Sequence, residues 1–293
     1  MTRVRAEAAL IGNTLIWGVT FVVVKDALSQ ISTLLFLTLR FSVAAVVLLV
    51  LFRRAWSNVR SVPSALRGGA ITGCFLFLGY YLQTLGLRYT SAPKSAFLTG
   101  LASVMVPLLV LCVYRNRPRM GEMAGILAAT AGMALMTVEG PLRGINRGDV
   151  LTFGCAVAFA AHMVALGHFS NAVNPNAVSF ELMSMVQIGT AALLALLLFG
   201  WTEAPVFVYS ARVVVAVLIT GILATALAFT VMAWAQRYTT STRTALIYLL
   251  EPVFAWMTSF LLMGEGLSAR AAAGAMLILG GVVLVEVKPF AAR

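Results

Sequence analysis

The chain has 293 residues, 61% of them hydrophobic and 11% charged, with a mean hydropathy of +0.96. Soluble domains run nearer about 45 to 50% and about 25%, so water is not the solvent for most of this surface. The net charge of +11 raises nucleic acid as a partner, but the distribution of the basic residues argues for a membrane instead, and no nucleic-acid partner is expected.

Divided at charges and turn residues, the chain gives ten apolar stretches. The first, Ala8 to Val24, follows Arg3 and Arg5 and so has the outline of a secretory signal peptide. Asn13, Thr14 and Trp17 interrupt the run, no clear small-residue cleavage site follows, and it is taken as a membrane helix. Next come Thr33 to Phe52, Arg67 to Leu87, Lys94 to Tyr114 and Gly121 to Val138. Gly148 to His168, Ala177 to Phe199, Ala211 to Ala235, Arg243 to Met263 and Arg270 to Glu286 complete the set. Each is close to the roughly 20 residues that a helix needs to cross about 30 Å of hydrocarbon. The fold class expected is an all-α membrane protein of ten transmembrane helices, embedded in a lipid bilayer and without a separate soluble domain. With the N-terminus in the cytoplasm, thirteen Lys and Arg fall inside and seven outside, while Arg40 lies within a span. That is the positive-inside bias, and it predicts two cytoplasmic termini.

The stretches repeat. RYTSAPKSAFL from Arg88 returns 149 residues later as RYTTSTRTALI from Arg237, and Gly125, Gly132 and Leu135 are matched at the same offset by Gly274, Gly281 and Leu284. Five apolar stretches separate a residue from its echo. An odd number of crossings inverts the second copy, and inverted repeats are built around a central substrate site in many transporters. The expected organisation is a first five-helix repeat over residues 1–139, a connecting loop over 140–148, and a second, inverted repeat over 149–293. The glycines seven apart in the fifth and tenth stretches make smooth stripes for close helix packing.

Polar residues inside the stretches share faces rather than scatter, and hydrocarbon offers them no partners. Asn13, Trp17 and Thr20 lie on one face of the first helix, Tyr80, Gln83 and Thr84 on one face of the third, and Ser95, Thr99 and Ser103 on one face of the fourth. Cys155, Phe159 and His162 align on the sixth, and Thr244, Tyr248 and Glu251 on the ninth. Such stripes imply a shared wet interior.

Glu251 sits roughly 12 Å into its helix and is followed by Pro252, which removes a backbone donor and frees the carbonyl of Tyr248. It is either a gate, proton acceptor or amine-binding point, or a neutral, hydrogen-bonded packing residue at the helix break. His162 lies at a similar depth and is either a site residue or an interhelical hydrogen-bond donor. Arg40, nearer the outer surface, is expected to snorkel or to pair with a helix C-terminus. Tyr81 and Trp234 are expected in the core, whereas Trp17 and Tyr80 share faces with polar residues.

No P-loop, dinucleotide fingerprint or HExxH helix is present. His162 and His168 do not share a helix face, and Cys74, Cys112 and Cys155 lack paired spacing. Neither a metal nor a cofactor is expected, and energy would come from the substrate's own gradient or an exchanged ion.

LIWGVTFVVVKDAL, LTLRF, LRYTSAPKSAFLTG ahead of Pro107, and RYTTSTRTALIYLLEPVFAWMTSFLLMGE together resemble the EamA family of the drug/metabolite transporter superfamily over essentially the whole chain. The strongest piece is LLEPVFAW with Gly264 and Glu265, which is similar to the family's ninth-helix signature. Within the family the chain looks most similar to the YddG-type bacterial exporters of aromatic amino acids. The resemblance implies a basket of two inverted five-helix repeats, a central cavity open alternately to each side, and efflux of amino acids and related metabolites through the inner membrane. The positions matching the family's motifs are Trp17, Arg40, Glu251 and Pro252. The first-half counterpart reads GLASVMVP, without an acid, which argues against two equivalent carboxylates.

The expectation is a secondary-type exporter of an aromatic or hydrophobic amino acid, acting as a monomer. Trp17 and Tyr80 would hold the cargo's side chain, with Asn13, Gln83, Thr99 and His162 hydrogen-bonding the zwitterion and Tyr248 completing the site. Glu251 and Pro252 would serve the gate or the proton balance. Efflux of drugs or nucleobase-like metabolites is the alternative. A membrane enzyme or a non-transporting scaffold would need a catalytic constellation or a soluble partner surface, and the sequence offers neither.

Overall fold

The computed structural model describes residues 3–57, 62–90, 92–115, 119–137, 146–171, 179–254, 257 and 268–287. Among these the chain is helical, with a single isolated bridge, Ile31 to Phe207, between two connecting segments. In order the helices are α1 (Arg3–Ala27), α2 (Thr33–Phe52, with a short 3-10 turn after it), α3 (Val62–Leu87), α4 (Ala92–Gly100) and α5 (Ala102–Tyr114). They continue with α6 (Met120–Thr137), α7 (Arg147–Asn171), α8 (Phe180–Thr202) and α9 (Ala211–Gly221). A π-helical segment, Ile222–Leu227, joins α9 to α10 (Ala228–Ala235), and α11 (Ser241–Tyr248) and α12 (Ala269–Val287) follow.

Seven helical stretches among the described residues are long and apolar enough to cross a membrane: Arg3–Ala27, Thr33–Ala55, Pro63–Leu87, Lys94–Tyr114, Arg147–Ser170, Phe180–Thr202 and Ala211–Ala235. Met120–Met136 and Ala269–Leu284 are shorter apolar helices. The ninth expected span is interrupted after Tyr248, and residues 255–256 and 258–267, including Gly264 and Glu265, lie outside the described residues. The expected joint at 140–148 is described only from Asn146 onward.

Large apolar side chains face outward, as Val46, Leu49, Val50 and Leu51 do on α2 and Leu193, Leu196 and Leu197 do on α8. In water such patches would drive aggregation. Against hydrocarbon they are at equilibrium, since a helix satisfies its own backbone there. Inside the bundle, α2 lies against α8, α3 against α7 and α8, and α6 against α12. The last pair unites the two glycine stripes. A Cβ on Gly281 would lie 2.5 Å from the Gly125 carbonyl oxygen, and one on Gly274 would lie 2.5 Å from that of Gly132. The two backbones touch because no side chain stands between them.

Three expected spans are not continuous α-helix. The fourth breaks at Leu101, where Leu101 N bonds Leu98 O three residues back (3.2 Å). The ninth breaks at Leu249 and Leu250, which likewise bond Leu246 O (3.1 Å) and Ile247 O (3.0 Å). Leu101 and Leu250 are 149 residues apart, so both halves break at the same repeat position. In the second half Pro252 explains the break, because it has no N–H to give to the Tyr248 carbonyl. No proline sits at the first-half break, and Pro107 lies inside α5 without ending it. The third interruption is the π-helical segment.

Polar stitching holds both ends of the bundle. At one end Asp149 accepts from Lys94 (2.6 Å), Thr90 (2.9 Å) and the Asn146 amide (3.0 Å), tying α4 and the α3 exit to α7. Lys25 donates to the carbonyls of Leu87 and Thr90, and Arg88 donates to Thr33 Oγ1 and Ile31 O, both at 2.6 Å. Glu203 caps α2 by accepting from the amides of Leu34 (2.7 Å) and Leu35 (3.1 Å), where a carboxylate meets the positive end of the helix dipole. At the opposite end Glu7 pairs with Arg3 (2.5 Å) and Arg243 (3.5 Å), joining α1 to α11.

Candidate functional site

Between these ends lies a cavity of about 80 Å³ enclosed by α1, α2, α3, α4, α5, α7, α10, α11 and Glu251. Its wall is built from few elements at a time, beginning with α1. Trp17 presents its ring to the cavity and sends its indole N–H the other way, to Ala224 O in the π-helical segment at 2.9 Å. One turn earlier Asn13 donates to Ala228 O (2.7 Å) and approaches Tyr248 Oη (3.4 Å). Asn13 is buried and is not part of the lining, so it stands behind Tyr248 rather than facing the cavity. The α1 stripe therefore serves two purposes. Its aromatic face lines the cavity, and its donors bond one carbonyl in the π-helical segment, Ala224 O, and one at the start of α10, Ala228 O.

Tyr80 on α3 is the centre of an aromatic cluster. Its ring meets Phe159 (5.1 Å), Phe41 (5.6 Å) and Phe229 (5.9 Å), all edge to face. That geometry sets positive ring edges against negative faces and is worth about 0.5 to 1.5 kcal/mol per pair beyond burial. Trp17 packs similarly on Tyr248 (4.8 Å) and lies tilted against Phe229 (5.4 Å). Phe229 thus links both halves of the aromatic wall, although its place in an apolar run gave no signal that it would line a cavity.

Arg40 corrects an expectation. It neither snorkels nor reaches a helix C-terminus, but is only 3% exposed and lines the same cavity. Its guanidinium lies over the Tyr80 ring at 4.1 Å, a cation–π contact, and its Nε donates to Thr225 Oγ1 at 2.8 Å. The physical reason is the partner set: α2 is flanked by the π-helical segment, which supplies a hydroxyl, and by α3, which supplies a ring. Those partners come from 185 and 40 residues away and leave no trace in the pattern around Arg40.

Polar groups complete the lining. Gln83 Nε2 donates to Thr99 Oγ1 (3.3 Å), and Thr99 lies 3.8 Å from Cys155 Sγ. His162 Nε2 stands 3.0 Å from Gln187 Oε1, while Gln187 Nε2 has no protein partner among the described residues. Ser103 donates to Ala245 O (2.7 Å), holding the two helix breaks together. Glu251, half-buried, lines the cavity directly after the second break. Pro252 is buried and outside the lining. Of the residues picked from sequence, the structure gathers Trp17, Tyr80, Gln83, Thr99, His162, Tyr248 and Glu251 around one space and leaves Asn13 and Pro252 behind it. Tyr81 stacks on Phe77 and Trp234 tilts against Tyr238, both away from the lining.

Comparison with known proteins bears on what such a space is for. The model of the EamA-like transporter family matches twice, over residues 4–138 and 146–287. An uncharacterized transporter of Archaeoglobus fulgidus is 33% identical over 286 residues, covering 98% of this chain and 87% of its own. The uncharacterized transporter YoaV of Bacillus subtilis is 21% identical over 288 residues, covering 96% of each chain. One crystal structure aligns with a TM-score of 0.78 at 18% identity over 97% of this chain and 98% of that one, a likeness of fold alone.

Proposed function

We propose, from the premise that the chain belongs to the EamA-like transporter family, that this membrane transporter exports an amino acid with an aromatic or other apolar side chain. It is a secondary-type carrier of the inner membrane with both termini in the cytoplasm. Its ten spans form two inverted five-helix repeats, residues 1–139 and 149–293, which rock against each other to expose the site alternately to each side. The chain acts as a monomer and draws on no cofactor.

The observation that carries this reading is a cavity whose wall is aromatic and whose lining also holds a carboxyl group, Glu251. Trp17, Tyr80, Phe159 and Phe229 offer flat apolar surface to a cargo side chain. Gln83, Thr99 and His162 offer hydrogen bonds to its polar end, and Glu251 offers a counter-charge to an ammonium. The helix breaks support the movement, because Leu101 and Leu249–Leu250 interrupt two helices beside the cavity and put Glu251 at a joint. In this reading Glu251 and Pro252 serve the gate or the proton balance.

The test uses purified protein in liposomes. Labelled phenylalanine should enter in a saturable manner and be displaced by unlabelled aromatic amino acids. If no amino acid moves under any imposed ion gradient, the substrate assignment is wrong, and competition between amino acids and cationic dyes for one uptake signal separates this reading from a drug carrier.

A further inference from the structure

Arg40 is a permanent cation inside a bilayer-spanning helix, 3% exposed, beside a cavity. A buried charge is tolerated where a counter-charge or hydrogen bonds compensate the loss of water. Among the described residues no carboxylate lies within ion-pair distance of Arg40, although Glu251 lines the same cavity. Its partners are the Thr225 hydroxyl at 2.8 Å and the Tyr80 ring at 4.1 Å, both neutral.

The geometry points to Arg40 as the anion-binding group of the cavity: it grips the carboxylate of the cargo, and Thr225 in the π-helical segment positions it to do so. This deepens the reading of the cavity as a cargo site and rests on it. A guanidinium has five N–H donors arranged as a planar fork that matches a carboxylate in two parallel bonds. Thr225 takes Nε, and the terminal amino groups, beside Tyr80, are the donors left to share with cargo. Thr225 also has a fixed polarity. Its one hydroxyl proton goes to Thr220 O at 2.7 Å, five residues back, so toward Arg40 the oxygen can only accept. The carbonyl next to it, Ala224 O, accepts from Trp17, so one π-helical turn sets both the cation and the aromatic wall.

The rest of the lining narrows the anion. Arg40 and Glu251 line the same cavity, and a carboxyl group there suits a cationic group on the cargo rather than the extra negative charge of a phosphate or other polyanion. A single carboxylate with a cationic group attached satisfies both ends. The cargo class assigned is therefore the α-amino acid, whose carboxylate is required, in preference to the decarboxylated amine or the amide.

The test compares binding of phenylalanine, phenylalaninamide and phenethylamine to the detergent-purified full chain, by displacement of labelled phenylalanine and by Trp fluorescence. Wild type should bind the acid at least about tenfold more tightly than the amide or the amine, which corresponds to about 1.4 kcal/mol. Arg40→Gln should bring that ratio near one by weakening the acid alone, and Thr225→Val should lower it by about threefold. Arg40→Lys, which keeps the charge but loses the fork, should fall between wild type and Gln. A structural role predicts instead that Arg40→Gln weakens all three ligands together, and that result overturns the assignment. Equal wild-type affinity for acid and amine overturns it as well, without use of any variant, while leaving an amine or drug carrier standing. Failure of wild type to bind any amino acid removes the cargo reading itself, a result distinct from loss of discrimination.

Discussion

Trp17 illustrates how one side chain carries two separable tasks. Its ring faces the cavity and its N–H holds Ala224 O, so substitutions can divide them. Trp17→Phe keeps an aromatic face and leaves a buried carbonyl without its donor, which should cost about 1 to 3 kcal/mol of stability, read as a lowered unfolding temperature in detergent. Trp17→Ala should in addition lower the affinity for phenylalanine by about tenfold or more, the usual scale for loss of an aromatic anchor in a buried pocket. Full-rate transport by a folded Trp17→Ala protein would take Trp17 out of the site. Glu251 is tested by its pH profile. If its carboxyl balances a proton during the cycle, Glu251→Gln should flatten the dependence of transport on pH, whereas a profile identical to wild type assigns it to packing at the break. These residues were legible in sequence because a polar or wide aromatic side chain in an apolar run has to be explained. Arg40 was visible for the same reason, but its direction was not. The choice between snorkelling outward and turning inward was made by Thr225 and Tyr80, which belong to other helices.

At the scale of elements, the stability of the frame rests on close approach and on end ties rather than on burial from water. Between helices in lipid the apolar driving force largely cancels, so packing and hydrogen bonds decide. Gly281→Leu places a branched side chain where a Cβ alone would already lie 2.5 Å from Gly125 O. The α6–α12 pair must separate, with an expected loss of about 2 to 3 kcal/mol seen as a lower melting temperature. Asp149→Ala removes the acceptor shared by Lys94, Thr90 and the Asn146 amide. That should cost about 2 kcal/mol and increase proteolysis near the start of α7. The glycine stripes were readable as packing surfaces from their spacing, and the structure shows that they pack on each other. The π-helical segment was not readable, since ILATAL is an unremarkable apolar run. Only its tertiary partners, Trp17 on Ala224 O and Arg40 on Thr225 Oγ1, reveal what that turn holds in place.

For the whole molecule the central expectation is topology. Reporter fusions at the two termini, one reporter active only in the cytoplasm and the other only outside it, should place both ends in the cytoplasm. Termini on opposite sides would require an odd number of spans and would remove the inverted arrangement. The described helices supply seven clear spans and two shorter apolar ones, with α11 ending at the break that precedes Glu251. The repeat offset survives at a finer level than sequence similarity, because the helix breaks at Leu101 and Leu250 fall at equivalent positions although only one half has a proline there. The halves differ where the chemistry is concentrated: Glu251 stands where the first half has Ala102.

From sequence alone followed the solvent, the helical class, the duplication and the faces that carry polar groups. Each of these is a property of composition or of a local period, and a helix preserves local period faithfully. Only the tertiary structure decided which polar groups face a common space and which are consumed in holding the frame. Asn13 and the indole of Trp17 give their donors to carbonyls 215 and 207 residues away, while Arg40 turns toward the cavity on a hydroxyl 185 residues away. A helix face tells which residues point together, but not at what. That depends on the neighbour each face meets, and the neighbours are set by how the helices assemble.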